Sequence, residues 1–382
     1  MLMKIIFICN KFPPAIDGVG DYTFHLANNF YQLGHDVSVI CAYCELVQQK
    51  VSSGCFNYNV FPIAKSWSLS DLAIIKPVIN SYKPDWLLVQ YVPNSFSRLA
   101  IPFEFPLLLL RIKNQDTRIC ITFHELYTRM VYWPFKHLIS ALAQRWICTK
   151  LAQVANLIVV SIDITYSLLQ TRTDKPIHLI PIGSNILPFH IPDEQIVSTR
   201  NELAPNGESI ISTFGNRDQD TLIQVFCKLV RKRPEVKLLI CGVLRLSPEG
   251  LCLFDSLKDK IIITGHLPNR DVYRLLRSSD VFFLPDPVDS SGEGGTSTKS
   301  GSLAAALVAG LPVVGTSGHM NDKLLSQVKG LYLGDYTNPD ELAYLILKAM
   351  EDKTGGKLNQ EFASSFLAWE YIGKCYNDLL SK

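Results

Sequence analysis

Short runs of apolar, β-branched residues alternate with amphipathic segments along most of the chain, and this alternation restricts the fold more than any other feature. The segment "KIIFICN" has no polar alternation, so it predicts a strand buried on both faces. The next segment, "DYTFHLANNFYQLG", has helical spacing and a stop at Gly34. Further strands are predicted at "HDVSVICAY", "PDWLLVQYVP", "TRICITFHE" and "NLIVVSI". Repeated strand–helix–strand units imply a parallel sheet with helices on both faces.

The alternation is interrupted at the proline-containing segment "SNILPFHIPDEQ" and then starts again. The sequence therefore predicts an α/β protein of two doubly wound, Rossmann-like domains. The first would comprise residues 1–186 with a returning C-terminal helix at 362–382, and the second residues 187–361. Ligands of open α/β sheets bind at the carboxyl ends of the strands. We therefore expect a two-substrate site in a cleft that two such edges face.

Composition excludes several classes of function. The net charge of +2 over 382 residues is too small for a dedicated nucleic-acid binder. No apolar run reaches the roughly 18 residues of a membrane span, and the first apolar run is too short for a signal peptide. Among the ten cysteines only Cys41 and Cys44 form a Cys-x-x-Cys pair, and a structural zinc site needs four ligands, so we expect reduced thiols, a cytoplasmic protein and no structural zinc.

The segment "GEGGTSTKSGSLAAALVAGLPVVGTSG" places a glycine- and hydroxyl-rich loop before a small-residue helix. The backbone N–H groups at a helix N-terminus are unpaired and carry positive potential, which suits a phosphate. Lys299 is the candidate counter-charge. The other candidate phosphate ligands in this loop are Thr296, Ser297, Thr298, Ser300, Gly301 and Ser302. The alternative is an ordinary Ser/Thr-capped helix behind a flexible loop.

Several segments, taken in their order and spacing, resemble the retaining, GT-B-fold glycosyltransferases of family four over nearly the whole chain. They are "NKFPPAIDGVGDYTFHLANNF", "QYVP", "TFHE", "IPIGSNI", "TGHLPNRDVYRLLRSSDVFFLP" and "GSLAAALVAGLPVV". Three of them look closest to members from bacterial polysaccharide and cell-surface glycan clusters. The resemblance implies transfer of a sugar from a nucleoside diphosphate sugar to an acceptor hydroxyl. It also implies retention at the anomeric carbon, an N-terminal acceptor domain and a C-terminal donor domain.

The chain departs from this family at the donor site. Most members carry a Glu-x7-Glu pair, and here the two positions hold Ser297 and Ala305. The loop instead resembles a subgroup with Ser-x-Arg-Arg-Gly-Ser, with Lys299 at the first arginine. The preceding phosphate loop is shortened and leaves Arg217 as a second cation for the departing diphosphate, unless it is an ordinary exposed arginine. Glu293 is a candidate for the missing ribose contact.

The same resemblance implies further contacts. His124 in "TFHE" would touch the transferred sugar, although a lone histidine is more often structural. Gly18 and Gly20 in "DGVGDY" would let the backbone approach the donor and acceptor, or would form a plain turn. Backbone atoms of the block "TGHLP" would line the nucleobase pocket, with Gly265, His266 and Leu267 as the contacts.

No Asp-x-Asp motif lies in a plausible place, so we expect no metal requirement and no cofactor besides the co-substrate. A rival hypothesis is a non-catalytic subunit that binds nucleotide or glycan, which the missing glutamates and the shortened loop would suit. The region 135–150 mixes Lys136, Arg145 and Lys150 with Trp133, Phe135 and Trp146. This mixture predicts either contact with the inner membrane surface, near a lipid-linked acceptor, or a solvated helix face. A glycan or a small metabolite is an alternative acceptor.

Overall fold

The computed structural model describes residues 2–128, 135–215 and 217–382, without the side chains of residues 135–137. The chain divides into two compact units. Unit 1 comprises Met1–Pro181 and Trp369–Lys382, and unit 2 comprises Ile182–Ala368. The predicted boundary at residue 186 lies slightly beyond this division, and the acceptor and donor roles assigned to the two domains stay predictions.

Unit 1 contains a seven-stranded sheet in which every neighbouring pair is parallel, in the order β3-β2-β1-β4-β5-β6-β7. Its strands are β1 Lys4–Ile8, β2 Asp36–Ala42, β3 Asn59–Ala64, β4 Trp86–Tyr91, β5 Arg118–Phe123, β6 Leu157–Val160 and β7 Ile177–Leu179. All six residues of β4 are buried, as a central strand covered on both faces requires.

The helices of unit 1 before residue 181 follow the strands in the expected alternation. They are α1 Gly18–Gln32, α2 Glu45–Ser52, α3 Leu72–Tyr82, α4 Pro93–Phe96, α5 Phe105–Ile112, α6 Phe135–Val154 and α7 Asp163–Gln170. Helix α1 begins where the Asp17 carboxylate accepts the N–H of Gly20 at 2.8 Å. It ends at Gln32, and Gly34, two residues later, has a φ of +87° that suits the predicted glycine stop.

Unit 2 contains a six-stranded parallel sheet in the order β10-β9-β8-β11-β12-β13. Its strands are β8 Ser209–Phe214, β9 Val236–Cys241, β10 Ile261–Ile263, β11 Val281–Phe283, β12 Val313–Thr316 and β13 Leu331–Gly334. In each sheet the first strand of the unit lies beside its fourth, so the strand order reverses at β1/β4 and at β8/β11. A crevice at the carboxyl ends of such strands is where open α/β sheets bind ligands. The predicted α/β, doubly wound fold class is therefore confirmed.

The helices of unit 2 are α8 Asp193–Leu203, α9 Gln219–Lys232, α10 Pro248–Asp255, α11 Asn269–Arg277, α12 Gly301–Val308, α13 Pro339–Met350 and α14 Gly355–Phe366. The predicted single helix over 362–382 is wrong, because the helix breaks after Phe366. A separate helix, α15 Trp369–Leu380, begins after the break and belongs to unit 1. It packs on α1, where the Tyr22 and Tyr376 hydroxyl oxygens lie 3.1 Å apart.

Candidate active site

The strand-order reversal of unit 2 brings a cation to the N-terminus of α12. Arg217 follows β8 and Asp286 follows β11, so the two residues flank the reversal. Arg217 Nη1 donates to Asp286 Oδ1 at 2.7 Å, and Nη2 donates to Ser300 Oγ at 3.0 Å. Ser300 is the N-cap of α12, where its Oγ accepts the N–H of Leu303 at 3.2 Å. The structure thus joins Arg217 to the predicted phosphate loop, while the roles of both in binding donor stay predictions.

Asp286 holds the Arg217 guanidinium in a largely buried ion pair, with side-chain exposures of 13% and 18%. Burial raises the pKa of the Asp286 carboxyl, and the nearby Arg217 partly offsets this rise. A buried ion pair of this kind is costly to break from one side, since the remaining charge has no partner. Asp286 therefore fixes the direction of the guanidinium.

Gly215 lets the end of β8 approach the N-terminus of α12. Its φ is +88°, and a Cβ at this position would lie 2.8 Å from Ser302 Oγ. A side chain here would be strained in the backbone and would also displace Ser302. The close approach places Ser302 and Ser300 together at the start of α12, as the phosphate-loop hypothesis needs. A Cβ at Gly301, between them, would meet no atom within 4 Å outside the neighbouring turns of the helix.

Two other hydroxyls of the loop, those of Thr296 and Thr298, serve its internal structure. Thr296 Oγ1 accepts the N–H of Thr316 at 2.9 Å, and the Thr296 side chain is fully buried. Thr298 donates its hydroxyl to Asp322 at 2.9 Å and its N–H to the same carboxylate at 2.7 Å. Ser297 is buried, and its carbonyl accepts the N–H of Ser300. The Thr298 hydroxyl hydrogen is thus donated to Asp322 in this structure, and the phosphate contact expected of Thr298 stays a prediction.

Lys299 and Glu293 lie on either side of this buried part of the loop. Lys299 is half-buried and directly precedes the N-cap, and Glu293 is exposed. The Glu293 N–H donates to Asp289 Oδ1 at 3.0 Å, within a turn closed by the carboxylate. The phosphate and ribose contacts expected of Lys299 and Glu293 stay predictions.

The predicted nucleobase block follows the edge strand β10. Gly265 has a φ of +69°, and its N–H donates to the Gly242 carbonyl at 3.0 Å. His266 is exposed and Leu267 is half-buried. The block shares the carboxyl edge of the sheet with Arg217, but β9 separates its strand from β8.

In unit 1, His124 directly follows β5 and is 5% exposed. Its Nε2 lies 2.9 Å from Gln90 Oε1, and its ring makes an edge contact with Tyr22 at 4.8 Å. Gln90 was not among the predicted site residues, although a glutamine inside an otherwise apolar buried strand is a signal.

The two glycines predicted to approach a ligand differ from each other. A Cβ at Gly20 would lie 2.8 Å from the Lys11 carbonyl oxygen, so Gly20 is needed for packing of the chain on itself. A Cβ at Gly18 would meet no atom within 4 Å. Gly18 therefore has the open space that close approach of a ligand requires, and the space beside Gly20 is filled.

Asp21, in the first turn of α1, provides a test of the electrostatics of this loop. Burial, with a smaller contribution from Asp17, raises the pKa of Asp21 to about 6. A raised carboxyl pKa contributes stability below the unfolded value of about 3.9, and this stability is lost as the pH rises through the folded value. We expect Asp21→Asn to raise the free energy of unfolding by about 1 kcal/mol at pH 7.5, after allowing for solvent screening, and to change it little at pH 4. Urea denaturation at both pH values measures this, and equal effects would contradict the raised pKa.

The structure gives three further findings on sites of other kinds. In the described ranges, no group of three or more His, Cys, Asp or Glu residues is placed to hold a metal ion. The ten cysteines are all free thiols, and Cys9, Cys41, Cys120 and Cys241 are buried as the apolar context predicts. None of the described helices has both the length and the apolar character needed to cross a membrane.

Comparisons with known proteins agree over both units. The family described as Glycosyltransferase Family 4 matches residues 16–186, and the family described as Glycosyl transferases group 1 matches residues 210–365. A search of curated proteins finds no match in sequence.

Solved structures of similar fold cover nearly the whole chain. Sucrose-phosphate synthase from Thermosynechococcus elongatus has a TM-score of 0.72 at 16% identity, over 99% of this chain and 98% of that one. A glycosyltransferase from Rickettsia africae has a TM-score of 0.70 at 15% identity, over 100% and 98% of the two chains. HepE from Anabaena, in complex with UDP-glucose, has a TM-score of 0.69 at 14% identity, over 99% of each chain. These identities are low, so the solved structures establish the fold.

The first matched family covers most of unit 1, and the second covers most of unit 2. The solved structures share the fold of this chain. The chain is therefore an enzyme, a glycosyltransferase of the GT-B fold and of the family-four type.

Proposed function

We propose that the enzyme transfers a sugar from a nucleoside diphosphate sugar to an acceptor hydroxyl with retention, without a metal or a resident cofactor. The bond between the anomeric carbon and the phosphate oxygen breaks, and the acceptor oxygen bonds to the same face of that carbon. The acceptor proton passes to the departing diphosphate. The acceptor hydroxyl belongs to a glycan, a lipid-linked intermediate or a small metabolite.

The observation that carries this proposal is the Arg217 guanidinium held at the N-cap of α12 by Asp286 and Ser300. The unpaired N–H groups of α12 and this cation would together stabilise the negative charge of a departing diphosphate. Lys299 would add a second cation in place of a metal ion. UDP is our first choice of nucleotide, because the similar HepE binds UDP-glucose.

The remaining site residues have supporting parts in this proposal. His124 would contact the transferred sugar, with its ring oriented by Gln90. The open space at Gly18 would admit the substrates to the N-terminus of α1. Charge stabilisation and positioning would then supply most of the catalysis, in a site that lacks the usual pair of glutamates.

A thermal-shift panel of UDP, GDP, ADP and dTDP, in EDTA and in magnesium, tests the donor class. Binding to the folded state raises its stability by about 2.7 kcal/mol at a ligand concentration of 100 Kd. We expect UDP to raise the melting temperature of the wild type in EDTA, and to do so by less than half as much in Lys299→Ala. Lys353→Ala, which removes an exposed lysine elsewhere in unit 2, is the matched control. The proposal fails if no nucleotide shifts the wild type under either condition.

We further propose that the enzyme works at the inner face of an anionic membrane, on the surface formed by α5 and α6. We define the α5–α6 face by its exposed apolar side chains, which are Phe103, Leu107, Leu110, Ile139, Leu142 and Trp146. Phe103 and Trp146 are in ring contact at 5.8 Å, which joins the two rows. Neither helix contains an aspartate or glutamate, whereas Arg111 and Lys150 lie on them.

This combination of apolar area and positive charge suits the headgroup region of an anionic bilayer better than free solvent. The earlier alternative of a fully solvated helix face does not account for six large apolar groups in one region. Of the residues that first indicated this surface, Trp133 and the side chains of Phe135 and Lys136 lie outside the described residues.

Sedimentation with vesicles of mixed phosphatidylglycerol and phosphatidylcholine tests this contact. We expect Trp146→Glu to lower the vesicle-bound fraction of the enzyme about tenfold, because a charge replaces an inserted ring. Leu251→Glu is the matched control, since Leu251 is 50% exposed on unit 2. Equal binding by wild type and Trp146→Glu, or no binding by wild type, would refute the membrane contact.

A further inference from the structure

A cavity of about 660 Å³ opens at the strand-order reversal of unit 1. Its lining comes from the loops after three parallel strands: Asn10 follows β1, residues 65–68 follow β3, and residues 94–98 follow β4. This is the position in the sheet where open α/β folds bind ligands. The phosphate site discussed above lies at the equivalent reversal of unit 2. The crevice of unit 1 is therefore available for the second substrate of a two-substrate enzyme.

One wall of the cavity is held in an unfavourable backbone conformation. Trp67 has a φ of +55°, which bulky residues rarely adopt and which costs free energy. The buried Asp71 carboxylate holds this loop, since Oδ2 accepts the N–H groups of Lys65, Ser66 and Trp67 at 3.0, 2.8 and 2.7 Å. The indole Nε1 of Trp67 donates to Asn10 Oδ1 at 2.8 Å. Such a strained and fully bonded loop is typical of a preformed binding site.

The lining has the chemistry of a site for a hydroxylated, negatively charged molecule. Its polar part is rich in serine and asparagine, which exchange hydrogen bonds with hydroxyl groups. Lys65 and Arg98 supply two cations. The carboxylate of Glu104, also in the lining, already accepts the N–H of Leu69 at 2.8 Å. The two cations thus outnumber this one carboxylate.

We propose that this cavity binds the sugar acceptor, and that Lys65 and Arg98 select an acceptor that carries a phosphate or carboxylate beside its hydroxyl groups. The inference rests on the proposed transfer reaction, whose donor diphosphate is assigned to unit 2. The anionic group would pair with the guanidinium and the ammonium in charge-assisted hydrogen bonds. The acceptor hydroxyls would bind the serine and asparagine side chains.

A hydroxylated, anionic acceptor can be one of two kinds of molecule. It is either a soluble sugar acid or sugar phosphate, or the polyol phosphate headgroup of a lipid. Phe103 lines the cavity and also contacts Trp146 of the α5–α6 face. The cavity therefore lies beside the surface proposed to meet a membrane, and a lipid with its headgroup in the cavity could keep its chains at that surface. The experiment must separate these two sources.

Isothermal titration calorimetry of the full chain, saturated with UDP, tests the proposal with four probes. They are glucose, glucose 6-phosphate, glucuronate and a water-soluble short-chain phosphatidylinositol. We expect at least one anionic probe to bind about tenfold more tightly than glucose, and Lys65→Gln and Arg98→Gln each to weaken the binding of that probe about threefold. The tighter of the soluble and lipid probes identifies the source. Lys50→Gln, an exposed lysine of α2, is the control and should bind like the wild type.

The UDP titration that precedes each experiment separates failure of this inference from failure of the proposed function. Normal UDP binding with no preference for an anionic probe would overturn the acceptor assignment alone. The same conclusion follows if both variants bind the anionic probes as the wild type does. Loss of UDP binding in the wild type would instead count against the proposed transfer reaction.

Discussion

The double variant Arg217→Gln, Asp286→Asn should lower kcat/KM for the donor by about 100- to 1000-fold, the usual loss when one stabilising donor is removed from a developing anion. Arg217→Gln alone would leave the buried Asp286 carboxylate without its partner and would also destabilise the fold. Changing both residues removes the ion pair without leaving a lone buried charge, and Asn keeps the shape of Asp while Gln is a shorter polar side chain. Release of UDP from the UDP sugar that binds the enzyme, with and without acceptor, measures the effect.

Two comparisons make this prediction specific. Arg200→Gln removes another Arg–Asp pair of unit 2, the partly exposed one with Asp280 at 2.9 Å, and should leave kcat/KM within about twofold because neither residue belongs to the candidate site. Arg217→Lys keeps the charge but loses the fork of donors, so an intermediate loss is expected. A double variant that keeps the wild-type kcat/KM would show that Arg217 does not stabilise the departing diphosphate.

Gly295→Ala should destabilise unit 2 by about 3 kcal/mol, a large effect for a single methyl group. Gly295 has a φ of +91°, and its Cβ would lie 2.8 Å from the backbone nitrogen of Gly318 and 3.1 Å from the carbonyl oxygen of Thr316. Both neighbours are backbone atoms, so the loop itself would have to move. Urea denaturation followed by circular dichroism gives the change in the unfolding midpoint.

Gly292→Ala separates the two causes of this effect. Gly292 has a similar φ of +81°, but a Cβ there would meet no atom within 4 Å. Gly292→Ala should therefore lower the free energy of unfolding by only about 1 kcal/mol, which is the cost of the backbone conformation. Equal losses of unfolding free energy in the two variants would show that the close approach to Gly318 is not the reason why position 295 requires glycine.

The sequence predicted the central strands well and missed two at the edges. Central strands such as β4 are wholly buried, so their apolar runs are unmistakable. The missed strands β3 and β13 are each at the edge of a sheet. β3 contains Pro62 and alternates between buried and more exposed residues. A strand that is bonded on one side only tolerates a proline, but a proline in the sequence does not indicate a strand.

The sequence showed candidate residues to be neighbours only where they are close together in the chain. The loop around Lys299 precedes its helix directly, so the two are visible as one motif. Asp286 could be recognised only with the strand order known, because it meets Arg217 across two adjacent strands that are far apart in sequence. The left-handed conformation of Trp67 could not be foreseen, since the residue is held both by the carboxylate of Asp71, four residues later, and by the side chain of Asn10, which is far away in the sequence.

The membership of α15 in unit 1 has a consequence for how the chain folds as a ribosome makes it. Tyr376 and Leu380 of this helix are fully buried, and the Trp86 indole donates to the Leu380 carbonyl at 3.2 Å. The residues that cover this part of unit 1 therefore emerge only after all of unit 2 has been synthesised. Domains usually fold in the order of their synthesis, but here the second can be complete while the first still exposes the apolar surface of α1. In a nascent chain that pauses before residue 369, we therefore expect a chaperone to bind unit 1 rather than unit 2.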